Sequence, residues 1–208
     1  MAVRSLKAKL RQAFLAEYGI NDSSPASTKE YDNEETLEKA NFAAAMLVMR
    51  MVREDGEPHF IPGYDFLAVG SIGCAYNETS LRSNNITSVI TLTELANKTF
   101  DHIEYLYLPI PDSVSTDLSS ALEQCCDFIS RQKHTGNILI HCYKGVSRCV
   151  AIVIGYLIQI HGLTYDLAMA KVRLARPQAG PNAGFIRQLQ RLAQQKALNT
   201  QAEYYIST

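Results

Sequence analysis

A cysteine preceded by histidine and followed six residues later by arginine, His141-Cys142-x5-Arg148, places a thiol and a guanidinium at a spacing suited to attack on phosphorus. The residues between them are Tyr143, Lys144, Gly145, Val146 and Ser147. The apolar run Ile138-Leu139-Ile140 leads in as a strand, and the apolar stretch from Cys149 to Ile160 leaves as a helix. A loop between a strand end and a helix start gathers backbone N–H groups at one spot, where the helix dipole also favours an anion. Gly145 allows the tight turn. The spacing therefore predicts a phosphate-binding loop over residues 143–148 that carries its own nucleophile. Cys142 is the nucleophile, and Arg148 grips two phosphoryl oxygens in a fork. The positive field holds Cys142 below the free thiol value of about 8.5. A lone cysteine at a strand end is usually a small buried hydrophobe; the histidine, glycine, serine and flanking elements argue together against that reading here.

The other loop side chains have supporting parts. His141 orients the loop through ring hydrogen bonds, and Ser147 bonds within the loop or caps the helix. Tyr143, Lys144 and Val146 stand around the rim and tune substrate choice.

With these residues the chain resembles the dual-specificity protein phosphatases, the cysteine-dependent class whose signature is HC-x5-R, and in particular its small, MAP-kinase-phosphatase-like members. Phe66-Leu67-Ala68-Val69-Gly70-Ser71 with Ala75 and Asn77 resembles the family's first core strand and turn. Ile86 to Leu92 resembles the next strand, and Pro181-Asn182-Ala183-Gly184-Phe185 opens a segment similar to the closing helix. The resemblance covers about residues 58 to 197. It implies hydrolysis of phosphotyrosine and phosphoserine or phosphothreonine through a cysteinyl-phosphate, on phosphoproteins that include MAP kinases. It also implies an aspartate on a separate loop about 30 residues before the cysteine, protonating the leaving oxygen and then activating water. Asp112 lies 30 residues before Cys142, after Leu108-Pro109-Ile110-Pro111, and takes that role. Asp117, ahead of Leu118-Ser119, is the runner-up and otherwise caps the next helix. Asn182 matches a supporting position near the loop. Cys149 stands where the family has Ser or Thr.

The alternation of strands and helices points to an α/β fold: a central, mostly parallel sheet of about five strands flanked by helices, protein tyrosine phosphatase-like, with a helical N-terminal extension. Strands are expected near 59–62, 66–70, 87–92, 103–108 and 137–141. Helices are expected near 78–84, 117–132, 147–160, 164–175 and 182–197, with Gly162 and Thr164 as caps. Residues 1–57 form the extension, in which 1–18 is a basic amphipathic helix, 19–34 a polar linker, and about 35–53 a helix apolar nearly all round from Phe42 to Met49 and so expected to be buried. Residues 58–197 form the catalytic domain, and 198–208 an aperiodic tail.

Bulk properties limit the alternatives. The 208 residues carry a net charge of −1, with 47% hydrophobic and 20% charged residues, which excludes a strong pull toward nucleic acid. Lys144 and Arg148 as the loop's basic residues weigh against a phosphoinositide or RNA phosphatase on the same scaffold. A phosphoprotein-binding pseudophosphatase would be expected to lack the cysteine or the acid. The five cysteines at 74, 125, 126, 142 and 149 have no framework spacing, which favours a reducing compartment, cytoplasmic or nuclear. The basic helix at 1–18 offers mitochondrial targeting or MAP-kinase docking as alternatives. No metal-ligand grouping, nucleotide fingerprint or membrane-spanning run is present, and no cofactor is expected. Arg173 and Arg176 read as solvated helix-face charges rather than a second anion site.

Overall fold

The computed structural model describes residues 46–94 and 100–207. The basic helix of 1–18, the linker of 19–34 and the first part of the 35–53 helix lie outside the described residues.

Five strands form one sheet: β1 (His59–Ile61), β2 (Tyr64–Gly70), β3 (Ile86–Thr91), β4 (Glu104–Tyr107) and β5 (Asn137–His141). Their spatial order is β1-β2-β5-β3-β4, with β1 antiparallel to β2 and the other pairings parallel. The central strand β5 has Ile138, Leu139 and Ile140 with no exposed surface, the continuous apolar run expected of a strand covered on both faces. Alternation assigns the two sides. Leu67, Val69, Ile90, Ile138 and Ile140 join the larger core, while Ala68, Val89 and Leu139 join the smaller one.

The helices are 46–55 (α1), Ile72–Tyr76 (α2), Glu78–Ser83 (α3), Ser119–Gln132 (α4), Arg148–His161 (α5), Tyr165–Ala175 (α6) and Ala183–Ser207 (α7). Helix α5 is buried from Cys149 to Ile158 and forms the axis of the larger core. Gly155 allows close packing there, since a Cβ would stand 2.7 Å from Leu122. Gly162, at φ 66°, ends α5 in the left-handed conformation, and Thr164 accepts from the Leu167 amide at the start of α6, as expected for the two caps.

Register fixes where the site must be. Gly70 and Thr91 both pair with His141, so β2, β3 and β5 end together. Ligands of parallel sheets bind beyond such carboxyl ends.

Three expectations are corrected. Helix α1 is not buried all round over the described part of its apolar run: Leu47 is buried, but Met46 is 50% and Met49 64% exposed. Its docking is made by its C-terminal turn, where the Met51 carbonyl approaches Gly73 too closely to admit a Cβ. The residues after 197 do not leave the helix. Helix α7 runs to Ser207, because 198–207 contain neither Pro nor Gly and extending a formed helix costs far less than nucleating one. Finally, the short helix α2 is an unforeseen element; its Ile72 amide donates to the carbonyl of Tyr143.

Candidate active site

Every carbonyl from Cys142 to Ser147 is held by a partner outside the loop's centre. The Cys142 carbonyl meets His141 Nδ1 at 3.4 Å, and the Tyr143 carbonyl accepts from Ile72 N. The Lys144 and Gly145 carbonyls accept from the Arg176 guanidinium at 2.9 and 2.6 Å. Val146 and Ser147 carbonyls accept from Gly180 N and Ala151 N. No peptide bond among the described residues is cis, and in a trans peptide the N–H of the next residue points opposite to the carbonyl. Tying the carbonyls outward therefore turns the amides of 143–148 inward. Gly145 is required on two counts: its φ is 68°, and a Cβ would lie 2.7 Å from the Gly70 backbone and from Arg176 Nη2.

Cys142 sits at the base of this ring of amides, 2% exposed, with its sulfur 3.3 Å from Cys149 Sγ. Its pKa is lowered to about 6 by the hydrogen bond from Cys149, the backbone N–H groups of Cys149 and Gly145 and the charge of Arg148, against the opposing effect of burial. The Cys149 thiol is pushed well above its ordinary value, chiefly by burial, so it carries the shared proton and donates to the Cys142 thiolate. Cys149 Sγ also lies 3.7 Å from the Gly70 carbonyl.

His141 is buried and its pKa is lowered to about 4, mainly by desolvation, so the ring is neutral. A carbonyl oxygen can only accept, which assigns the proton to Nδ1 facing the Cys142 carbonyl and leaves Nε2 to accept from Thr91 Oγ1 at 3.0 Å. His141 thus ties the Cys142 carbonyl to strand β3 through its ring.

Arg148 Nη1 donates to the carbonyls of Leu92 and Ile110 at 3.1 and 3.3 Å. Its Nε pairs in charge with Asp112 Oδ2 at 3.7 Å, beyond hydrogen-bond reach, and is the buried side-chain nitrogen without a hydrogen-bond partner among the described residues. A donor held unsatisfied at the mouth of an amide nest is placed for an anionic oxygen.

Asp112 comes to the same mouth. Its Oδ1 accepts from Ser147 Oγ at 2.7 Å and from Asn182 Nδ2 at 2.9 Å. Ser147 therefore takes neither expected part with its side chain, capping α5 or bonding within the loop; it donates across the site to Asp112 and accepts from the Asn182 amide. Asn182 does two jobs, because its Oδ1 also caps α7 through the amides of Gly184 and Phe185. Asp112, Cys142, Tyr143, Lys144, Val146, Ser147 and Arg148 line one cavity of about 330 Å³. Asp117 lies outside it. It accepts from Ser119 N and Oγ at the start of α4, and those bonds lower its pKa.

Arg176 overturns its expected description. It is neither solvated nor a second anion site but 1% exposed, with its guanidinium shared between the loop carbonyls and the Asp55 carboxylate. An arginine after a helix end carries no sequence mark of burial, and its partner is 121 residues away. Arg173 donates to the Ala179 carbonyl.

The family model of the Dual specificity phosphatase, catalytic domain, matches residues 67–195. Dual specificity protein phosphatase 1 of Arabidopsis thaliana is 34% identical over 189 residues, covering 86% of this chain and 94% of that one. The crystal structure of human DUSP28 is similar with a TM-score of 0.61 at 29% identity, over 66% of this chain and 96% of that chain. A mouse dual specificity phosphatase complexed with zinc tungstate gives a TM-score of 0.60 at 30% identity, over 65% of this chain and 86% of that one. With the family model matching most of its described length and a relative 34% identical over nearly the whole of that relative, this chain belongs to the dual specificity phosphatase family.

Proposed function

We propose that the chain hydrolyses phosphotyrosine and phosphoserine or phosphothreonine monoesters of proteins through a cysteinyl-phosphate. The observation that carries this reading is the inward ring of amides around a Cys142 thiolate, with Asp112 and Arg148 at the same cavity. The Cys142 thiolate attacks phosphorus as the bond to the substrate oxygen breaks. Protonated Asp112 gives that oxygen its proton, and the substrate leaves as an alcohol or phenol. The loop amides and Arg148 bear the charge on the transferring phosphoryl group. Asp112, now a carboxylate, takes a proton from water. The oxygen of that water bonds to phosphorus, the P–S bond breaks, and inorganic phosphate and the thiolate are released. His141, Ser147 and Asn182 orient the loop and Asp112.

The tungstate named with the mouse relative is a tetrahedral oxyanion of the shape this nest would hold. A MAP kinase is the protein substrate favoured by the resemblance to the small MAP-kinase-phosphatase-like members. The five free cysteines favour a reducing compartment, the cytoplasm or nucleus.

Rapid-quench kinetics on a phosphotyrosine and a phosphothreonine peptide test this reading. Wild type is expected to show a burst of dephosphorylated peptide with both, and Cys142→Ser none, since a serine hydroxyl has no accessible anion near neutral pH. Comparable turnover by Cys142→Ser removes the nucleophile.

A further inference from the structure

We infer that Asp55 and Arg176 form a latch through which the lead-in helix α1 positions the phosphate-binding loop, making both of them positioning residues for the reaction proposed above. The inference rests on that reading of the site.

Arg176 uses its guanidinium in two directions. Nε and Nη2 donate upward to the Gly145 and Lys144 carbonyls, and Nη1 and Nη2 donate to the two carboxylate oxygens of Asp55 at 2.9 and 2.6 Å. The four bonds engage all three nitrogens. The two loop carbonyls it holds belong to the peptides whose N–H groups are those of Gly145 and Val146, on the opposite side. The Gly145 N–H is one of the groups that favour the Cys142 thiolate. A fork of fixed shape under the loop is thus transmitted to the amides above it.

Asp55 is what fixes the fork. It is the last residue of α1, and the end of that helix is itself anchored beside the loop. The Asp55 carbonyl accepts from Ser71 Oγ at 3.0 Å, and the Gly56 carbonyl accepts from Asn77 Nδ2 at 3.0 Å. Its carboxylate is held far below the ordinary range: burial alone would raise it, but the two hydrogen bonds and the charge of Arg176, with His59 and Ser71 close by, outweigh that. His59 Nε2 stands 3.6 Å from Asp55, and its Nδ1 meets the Ala175 carbonyl at 2.9 Å beside Arg176. A buried guanidinium without its carboxylate would be costly to keep in place. The end of α1 is therefore linked to the loop that holds Cys142 by the Asp55–Arg176 ion pair.

Two roles for this pair predict opposite shifts. Of the groups that face Cys142, Arg148, Lys144 and Asp112 line its cavity and are untouched by the variants, His141 is neutral and Cys149 protonated, which leaves Arg176 as the one whose setting changes. Were Arg176 simply a positive charge shielded by Asp55, removing the Asp55 charge would lower the Cys142 pKa. Were it a positioning fork, loosening it would misalign the amides and raise that pKa.

The test measures the pH dependence of Cys142 alkylation by iodoacetamide, read by peptide mass spectrometry, on the full chain with Asp55→Asn, Arg176→Lys and Arg176→Gln. Inorganic phosphate serves as the oxyanion probe and circular dichroism checks the fold. Asp55→Asn and Arg176→Lys are expected to raise the alkylation pKa by roughly one unit, the scale of a lost hydrogen bond to a charged group. Both should also weaken phosphate binding several-fold. Arg176→Lys keeps the charge, so its behaving like Arg176→Gln rather than wild type supports the fork. An unchanged or lowered pKa in folded Asp55→Asn overturns the latch. If Asp55→Asn does not fold, Arg176→Lys and Asp55→Glu, which retain both charges but displace the fork, decide the question in the same way. The wild-type alkylation pKa judges the thiolate assignment by itself; the difference between variant and wild type judges the latch.

Discussion

Cys149 Sγ lies 3.3 Å from Cys142 Sγ and, as the protonated partner, makes the largest favourable contribution to the Cys142 thiolate. The family resemblance read from the sequence implies a Ser or Thr hydroxyl at this position, and a thiol is the weaker donor. In the proposed mechanism the same donor would assist the sulfur when it leaves phosphorus, so the cysteinyl-phosphate proposed above is expected to be hydrolysed slowly. Cys149→Ser should raise kcat on substrates with good leaving groups by about fivefold, the equivalent of roughly 1 kcal/mol from one better hydrogen bond. Steady-state assays with an aryl phosphate check this; an unchanged kcat with an unchanged burst counts against the assignment.

The same contact has a redox consequence. Peroxide oxidises the Cys142 thiolate to a sulfenic acid and is itself reduced to hydroxide. The Cys149 sulfur then bonds to the Cys142 sulfur as water leaves, giving a disulfide that two reducing thiols reopen. The two sulfurs start 3.3 Å apart and must close to the about 2.05 Å of an S–S bond. After mild peroxide, peptide mass spectrometry should find a Cys142–Cys149 link and full recovery of activity with reductant. Sulfinic acid at Cys142 beside a free Cys149 would contradict this.

Asp112 and Asp117 are separated by their surroundings: one lines the cavity with Cys142, the other bonds to Ser119 at a helix start. Asp112→Asn should lower kcat by about 10²–10⁴-fold, the range for a lost general acid, and by much less on esters with acidic leaving groups. Asp117→Asn should leave kcat near wild type. A pH–rate profile whose basic limb vanishes with Asp117→Asn but survives Asp112→Asn would reverse the two roles.

Much of this site can be read from short-range sequence. His141 to Arg148 is one contiguous loop between an apolar strand and an apolar helix, and Gly145 marks the position where only a residue without Cβ fits. Asp112 stands out by family resemblance and loop position together, and Asn182 by resemblance alone. What sequence does not show are bonds whose partners are distant and individually ordinary. Thr91, which bonds His141, looks like any β-branched strand residue. Asp55 and Arg176 each look like a solvated charge at a helix end, and only the folded chain reveals that they close on each other beneath the loop. The exposure of Met46 and Met49 was likewise not legible, because an apolar stretch says that burial is favourable but not which face finds a partner.

The depressed pKa of Cys142 links stability to pH with a definite sign. An unfolded thiol titrates near 9, whereas in the folded protein Cys142 titrates at about 6. An acid whose folded value is the lower one stabilises the fold fully above its unfolded value, and that contribution is lost as pH falls through the folded one. Between pH 6 and 9 the folded state therefore holds fewer protons at this site than the unfolded chain, and the contribution grows as pH rises. The other buried thiols, Cys74, Cys125, Cys126 and Cys149, are shifted the opposite way and oppose stability only once pH exceeds about 9. Cys142→Ser removes the titrating group while keeping its size close. Urea unfolding of wild type and Cys142→Ser at intervals across pH 6–9 should show the difference in stability moving steadily in favour of wild type as pH rises. A difference that stays flat across that window would mean that the loop does not hold Cys142 as a thiolate, whatever the protein turns over.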